Sequence, residues 1–215
     1  MDIKEYGELL VYGDPDGIAK KLDGHQGDNI YKVKGNSGII SVLNLLRMNG
    51  MECTENQIVK RAIDMKCCNY SFLDEAEENG KTDRFERCEL LESYGIECET
   101  KEIIDEDSLV AYLNSIASYV EEGKGVIMDV YSPMLYDYKP AGDYAVFYKP
   151  DRCITVTGTA RNPKNGTLEG LFVCDSVKGD KSIFVSFDKL ILGHMLLDTI
   201  GKDSANYIVT KNPIR

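Results

Sequence analysis

The sequence predicts an α+β fold, with helices in the first half and an antiparallel sheet in the second. Three observations predict it. Ile39, Ile40, Leu43, Leu46 and Met48 recur with the period near 3.6 that marks one buried face of a helix. Thr54-Glu55-Asn56-Gln57 is a capping-box signature, which opens a second helix. After Gly125 the texture changes to β-branched runs separated by turn residues. Helices followed by strands indicate α+β rather than an alternating α/β order.

The elements follow in order. Residues 1–35 are rich in Gly and Asp and read as a mostly irregular lead-in. A short helix around Asp16–Leu22 is expected after the Asp14-Pro15 start signal. The first long helix ends at Gly50, a C-cap residue. The second carries Ile58, Ala62 and Ile63 on its apolar face. A third begins at Thr82 or Asp83 and runs to Tyr94, closed by Gly95; a fourth spans about Asp107–Glu121. Strands are expected at Val126–Tyr131, Ile154–Ala160, Leu168–Cys174, Ser182–Phe187 and Asn206–Thr210. Asn165-Gly166 is a hairpin signal between two of them. Lys189–Leu197 reads as a short helix or turn. No internal repeat, low-complexity tract or linker interrupts the chain, so 1–215 reads as one domain.

Charge and cysteine usage exclude several function classes. The net charge of −11 repels a phosphate backbone and an anionic bilayer, so no nucleic acid and no membrane partner is expected. The cysteines number seven, an odd count at irregular spacing without a CxxC pair. No metal and no cofactor is expected from that pattern, and reduced thiols in a reducing compartment are. Met1-Asp2-Ile3-Lys4-Glu5 does not open a signal peptide. No apolar run approaches the roughly 20 residues that span a bilayer. The chain as given is expected to be cytoplasmic; a piece of a larger delivered or secreted protein would escape that expectation.

The start of the first long helix carries the most specific pattern. It runs Gln26-Gly27-Asp28-Asn29, a short spacer, then Gly35-Asn36-Ser37-Gly38. Downstream lie Arg152-Cys153-Ile154-Thr155-Val156-Thr157-Gly158 and Gly170-Leu171-Phe172-Val173-Cys174-Asp175-Ser176. The chain closes on Ile208-Val209-Thr210-Lys211-Asn212-Pro213-Ile214. In this order the motifs resemble the papain-like, C39-type cysteine peptidase domains of bacterial surface and toxin proteins. In that family Gln-Gly-x-Asn precedes Gly-Thr-Cys-Gly, where the Cys opens a helix as nucleophile and the Gln contributes to the oxyanion hole. An Asn-His-Ala-Ile-x-Val-Thr-Gly strand carries the base, and a Gly-Phe-Tyr-Ile-x-Asp-Ser-Gly strand carries the Asp that orients it. The match spans Gly13 to Ile214. It implies a papain-like cysteine peptidase fold, an N-terminal helical half packed on a C-terminal antiparallel sheet with a cleft between.

Physical chemistry explains why that family needs those residues. A helix N-terminus carries partial positive charge and unpaired N–H groups. A thiolate is stabilised there, and a neighbouring imidazolium lowers its pKa further. A carboxylate fixes the imidazole tautomer, and an amide donor holds the oxyanion.

This sequence departs from the pattern at both reacting positions. Ser37 stands at the Cys position and Arg152 at the His position. A serine hydroxyl is a poor nucleophile without a base. Arginine offers only donors and stays protonated, so it cannot be that base. General-base help contributes roughly 10²–10⁴ in rate. Asp175 is kept at the orienting position and Gln26 at the oxyanion position; taken alone, each reads equally as a turn residue and a loop amide. Arg152 is expected to pair with Asp175 in a forked ion pair that replaces the His–Asp pair. His25 reads as an exposed loop residue and His194 as a packing residue. Tyr131, Tyr136 and Tyr138 open an aromatic stretch that reads as a partly packed loop or as a peptide-binding wall.

The resemblance implies a catalytically inactive homologue, a pseudoenzyme kept as a peptide- or protein-binding module. Its partner would be a peptide, an immunity protein or another domain of a larger polypeptide. The alternative is an active or weakly active peptidase-like toxin or hydrolase. Its nucleophile would be Ser37, or a natural cysteine that Ser37 replaces.

Overall fold

The structure is a computed structural model that describes residues 2–3, 7–20, 22, 25–102, 109–136, 150–178, 182–191 and 206–214. Its first elements are β1 (Asp2–Ile3), β2 (Gly7–Glu8), β3 (Leu10–Gly13) and α1 (Pro15–Ala19). Helices α2 (Ser37–Met48), α3 (Glu55–Met65) and α4 (Arg84–Glu92) follow, then β4 (Cys98–Glu102) and α5 (Leu109–Glu121). The remainder is β5 (Val126–Val130), α6 (Ser132–Leu135), β6 (Arg152–Arg161), β7 (Leu168–Cys174), β8 (Ile183–Ser186) and β9 (Asn206–Thr210). The fold class is α+β, mixed helix and antiparallel sheet.

Local chemistry sets the helix starts. Thr54 accepts from the Gln57 N–H and Gln57 reaches back to the Thr54 N–H, the reciprocal capping box expected for α3. Asp83 and Glu86 form a second box at α4. Gly50 and Gly95 take positive φ just past α2 and α4, where a Cβ would be strained.

The main sheet has the order β4-β9-β5-β6-β7-β8, with β3 paired to β6. All its pairings are antiparallel. Side chains alternate between two cores. Ile127, Cys153 and Ile208 face α2, α3 and α4. Val126, Met128, Ile154, Val156, Tyr207 and Val209 face α5. The period of two along each strand produces this division. Ile39, Ile40, Leu43 and Leu46 of α2 are fully buried. Burying each contributes about 1.5–3 kcal/mol before chain entropy is subtracted.

Two expectations need refinement. The sheet is not confined to the second half, because β3 and β4 join it from the first. The helices lie on both of its faces rather than on one, since α5 packs opposite α2–α4. In the lead-in, α1 forms where a short helix around Asp16–Leu22 is expected, β3 is an addition, and residues 25–35 are irregular as expected.

Candidate functional site

Ser37 is the first residue of α2, and the loop before it is built to hold it there. Glu55, at the start of α3, is 7% exposed and gathers that loop. Its Oε1 accepts from the Gly27 N–H at 3.1 Å, Asn29 Nδ2 at 2.8 Å and Asn36 Nδ2 at 2.9 Å. Asn36, the N-cap residue, therefore uses its amide on Glu55 and does not cap α2. From the other side, Ala76 and Asn79 accept from the Lys34 and Gly35 N–H groups, each at 2.9 Å. Gly38 has a steric reason: a Cβ there would lie 2.1 Å from Thr82 Oγ1 and 3.1 Å from Arg87 Cδ.

Helix α2 docks on β6 through polar contacts. The Cys153 N–H donates to Ser37 Oγ at 3.3 Å. Two turns on, Asn44 Nδ2 donates to Thr155 Oγ1 at 3.2 Å, both residues buried. Residues seven apart share a helix face, so these contacts align one side of α2 along the strand.

Arg152, the residue before Cys153, opens β6, and Asp175 follows β7. Arg152 Nη1 lies 3.3 Å from Asp175 Oδ2 and 3.4 Å from Oδ1. The expected ion pair is present, but one nitrogen is shared between both oxygens; it is not a fork. The Asp175 carboxylate is completely buried, whereas the Arg152 side chain is 21% exposed. Asp175 also accepts from Tyr136 Oη at 2.8 Å and from the Val177 N–H at 3.0 Å. Burial first, then the Asp175 charge and hydrogen bond, raise the Tyr136 pKa above its ordinary value. Tyr136 thus remains a neutral donor. Lys178 Nζ sits 4.9 Å from the centre of its ring.

Gln26 lies against the same corner. Its N–H donates to the Ser176 carbonyl at 3.2 Å and its Oε1 accepts from Ser176 Oγ at 3.0 Å. Its Nε2 donates to the Lys34 carbonyl. Among the described residues its amide is thus bound to the frame of the site and not to Ser37.

Sequence reasoning missed a cluster directly beneath Ser37. Arg87 of α4 is 3% exposed. Its Nη2 donates to Asp129 Oδ2 of β5 at 2.7 Å and its Nη1 to Cys153 Sγ at 2.7 Å. The Cys153 thiol donates to Asp129 Oδ1 at 2.8 Å. Burial, then the Asp129 charge, hold the Cys153 pKa above the ordinary thiol value, against the pull of Arg87 and of the Ser37 hydroxyl. Burial lowers the Arg87 pKa, but Cys153 and Asp129 outweigh it and leave the guanidinium firmly protonated. The available signal was an Asp in an otherwise apolar strand, Val126–Val130. Its partners are distant in sequence, so nothing local named them.

The remaining predicted residues divide as follows. Tyr131 is half-buried at the start of α6. Tyr138 and His194 lie outside the described residues. His25 is exposed. Among the described residues no group of three or more His, Cys, Asp and Glu could hold a metal ion, and no helix is long and apolar enough to cross a membrane.

Against solved structures, 18 chains match. One is the crystal structure of a Bacillus anthracis protein described as a C39-like peptidase, with a TM-score of 0.56 and 11% identity. The alignment covers 96% of this chain and 99% of that one. The chain has a C39-like peptidase fold. At 11% identity the likeness is one of architecture, and residue roles do not transfer with it. No protein-family model matches the sequence, and no curated protein matches it.

Proposed function

We propose that this chain is a catalytically inactive relative of C39-type cysteine peptidases that serves as a peptide- or protein-binding module. The observation that carries this reading is the pairing of Arg152 with Asp175, one residue along β6 from the Cys153 N–H that Ser37 accepts. A guanidinium occupies the carboxylate that would orient a base, and it has no lone pair with which to take the Ser37 proton. Ser37 Oγ meanwhile accepts a backbone N–H from Cys153. The exposed part of Arg152 and the aromatic residues Tyr131 and Tyr136 would form the peptide-facing surface. The ligand is a peptide, an immunity protein or a neighbouring domain.

The test compares the chain with Ser37→Cys, Arg152→His and the double variant on a mixed peptide library read by mass spectrometry. The chain as given is expected to retain peptides intact and to resist a fluorophosphonate probe. The double variant is expected to gain measurable cleavage. Cleavage by the chain as given that disappears in Ser37→Ala would overturn the proposal and establish the hydrolase alternative. Cleavage by Ser37→Cys alone would mean that Arg152 does not occupy the base position.

A further inference from the structure

We propose that Cys88 of α4 and Cys98 of β4 are a thiol pair that closes to a reversible disulfide by exchange with a small-molecule disulfide. The two residues meet where α4 packs on the edge strand of the sheet, β4. Cys98 Sγ lies 3.7 Å from the Cys88 carbonyl oxygen, which brings the two residues together, and each thiol shifts the other's ionisation. Cys88 is partly exposed, while Cys98 is 5% exposed. That asymmetry assigns the roles.

The hydrogen bond from Cys98, helped by the Arg87 guanidinium, holds the Cys88 thiol below its ordinary value despite burial and Glu92. Cys98 is held above its own, first by the same hydrogen bond and then by burial. Cys88 is therefore the attacking sulfur and Cys98 the resolving one. The Cys88 thiolate attacks one sulfur of the small disulfide, forming a mixed disulfide and releasing one thiolate. Cys98 then loses its proton and attacks Cys88 Sγ, releasing the second thiolate. The protein loses two hydrogens and the small disulfide is reduced to two thiols.

Other cysteines are engaged differently. Cys67 donates to Glu89 at 3.6 Å, Cys53 to the Thr54 carbonyl at 3.6 Å and Cys153 to Asp129 at 2.8 Å. The bridge would have a structural consequence at the candidate site. Cys88 immediately follows Arg87, so tying Cys88 to the sheet edge fixes the turn of α4 that supports Cys153 and Ser37 from below.

The experiment uses the whole chain, and its peptide readout needs no variant. It is incubated with oxidised glutathione, free thiols are alkylated, and the product is digested with trypsin. One peptide, 88–101, carries both cysteines and no other. It is expected two hydrogens lighter than its reduced form and unalkylated, and dithiothreitol should reverse the change. The oxidised chain should also unfold at a Tm several degrees above the reduced chain, a rise absent in Cys98→Ser. Recovery of the peptide doubly alkylated, as a lasting glutathione adduct, or joined to another cysteine would overturn the proposal. If Cys98→Ser does not fold, Cys88→Ala serves as the control.

Discussion

Two arginine–aspartate pairs flank the start of β6, and they differ in depth. Arg87–Asp129 is short at 2.7 Å, with the arginine 3% exposed and the carboxylate 15%. Arg152–Asp175 is longer at 3.3 Å, and its arginine is 21% exposed. In the first pair the cation is the buried partner. In the second the anion is, and it carries further donors from Tyr136 and Val177. The difference separates a brace from the pair at the proposed site. A buried cation held by one carboxylate, one thiol and the Thr82 carbonyl loses its hydrogen-bonded countercharge when Asp129 goes. A buried carboxylate with three kinds of donor can lose one and remain solvated by the rest.

Arg87→Met would break this contrast at its deeper end. It leaves Asp129 and Cys153 without a cation beneath α2 and is expected to cost about 3–5 kcal/mol in urea unfolding. The Arg87→Met, Asp129→Leu double variant should recover most of that loss, because apolar packing often replaces a buried pair. A double variant as unstable as the single one would mean that the guanidinium packs α4 in a way unrelated to its charge.

Arg152→Met tests the shallower pair. Asp175 keeps two of its partners, so the expected cost is about 1.5 kcal/mol. A cost equal to that of Arg87→Met in the same unfolding assay would erase the distinction. Tyr136→Phe should cost less again, about 1 kcal/mol, for one hydrogen bond among several.

Thiol ionisation sharpens the comparison most gently. Cys67 and Cys68 are each pushed up to about 11 from 9.0, by burial first. The fold therefore keeps these thiols protonated where the unfolded chain releases the proton. Their contribution is full below pH 9.0 and is lost as pH rises toward about 11. Tm measured across that window should fall more shallowly in Cys67→Ser than in the parent. Equal slopes would remove Cys67 as a source of the alkaline loss.

Much of this architecture was legible in the sequence, for local reasons. Both capping boxes lie within four consecutive residues, and β7 and β9 have the bounds that their apolar runs suggest. Ser37 at a helix start and Arg152 near Asp175 were legible through the order of motifs. What stayed hidden depends on tertiary contact. Arg87 meets Asp129 and Cys153 across 42 and 66 positions. Tyr136 reaches Asp175 across 39. Strand β4 reads Cys98-Glu99-Thr100-Lys101-Glu102, a charged run that looks like loop until β9 pairs with it. Charge at an edge strand is a feature of such strands and not a mark against them.

Strand β3 has a consequence of its own. It covers the far part of β6, pairing Leu10, Val11, Tyr12 and Gly13 with Arg161, Ala160, Thr159 and Gly158. Val11 packs with the cluster of Leu9, Ala160 and Phe172 beneath it. Trimming the chain to Asp14 would bare that stretch of ladder together with its apolar underside. An uncovered strand of this kind is a template for stray pairing between molecules. The opening residues thus act as a guard on the sheet, and their removal should be felt first as clumping in solution.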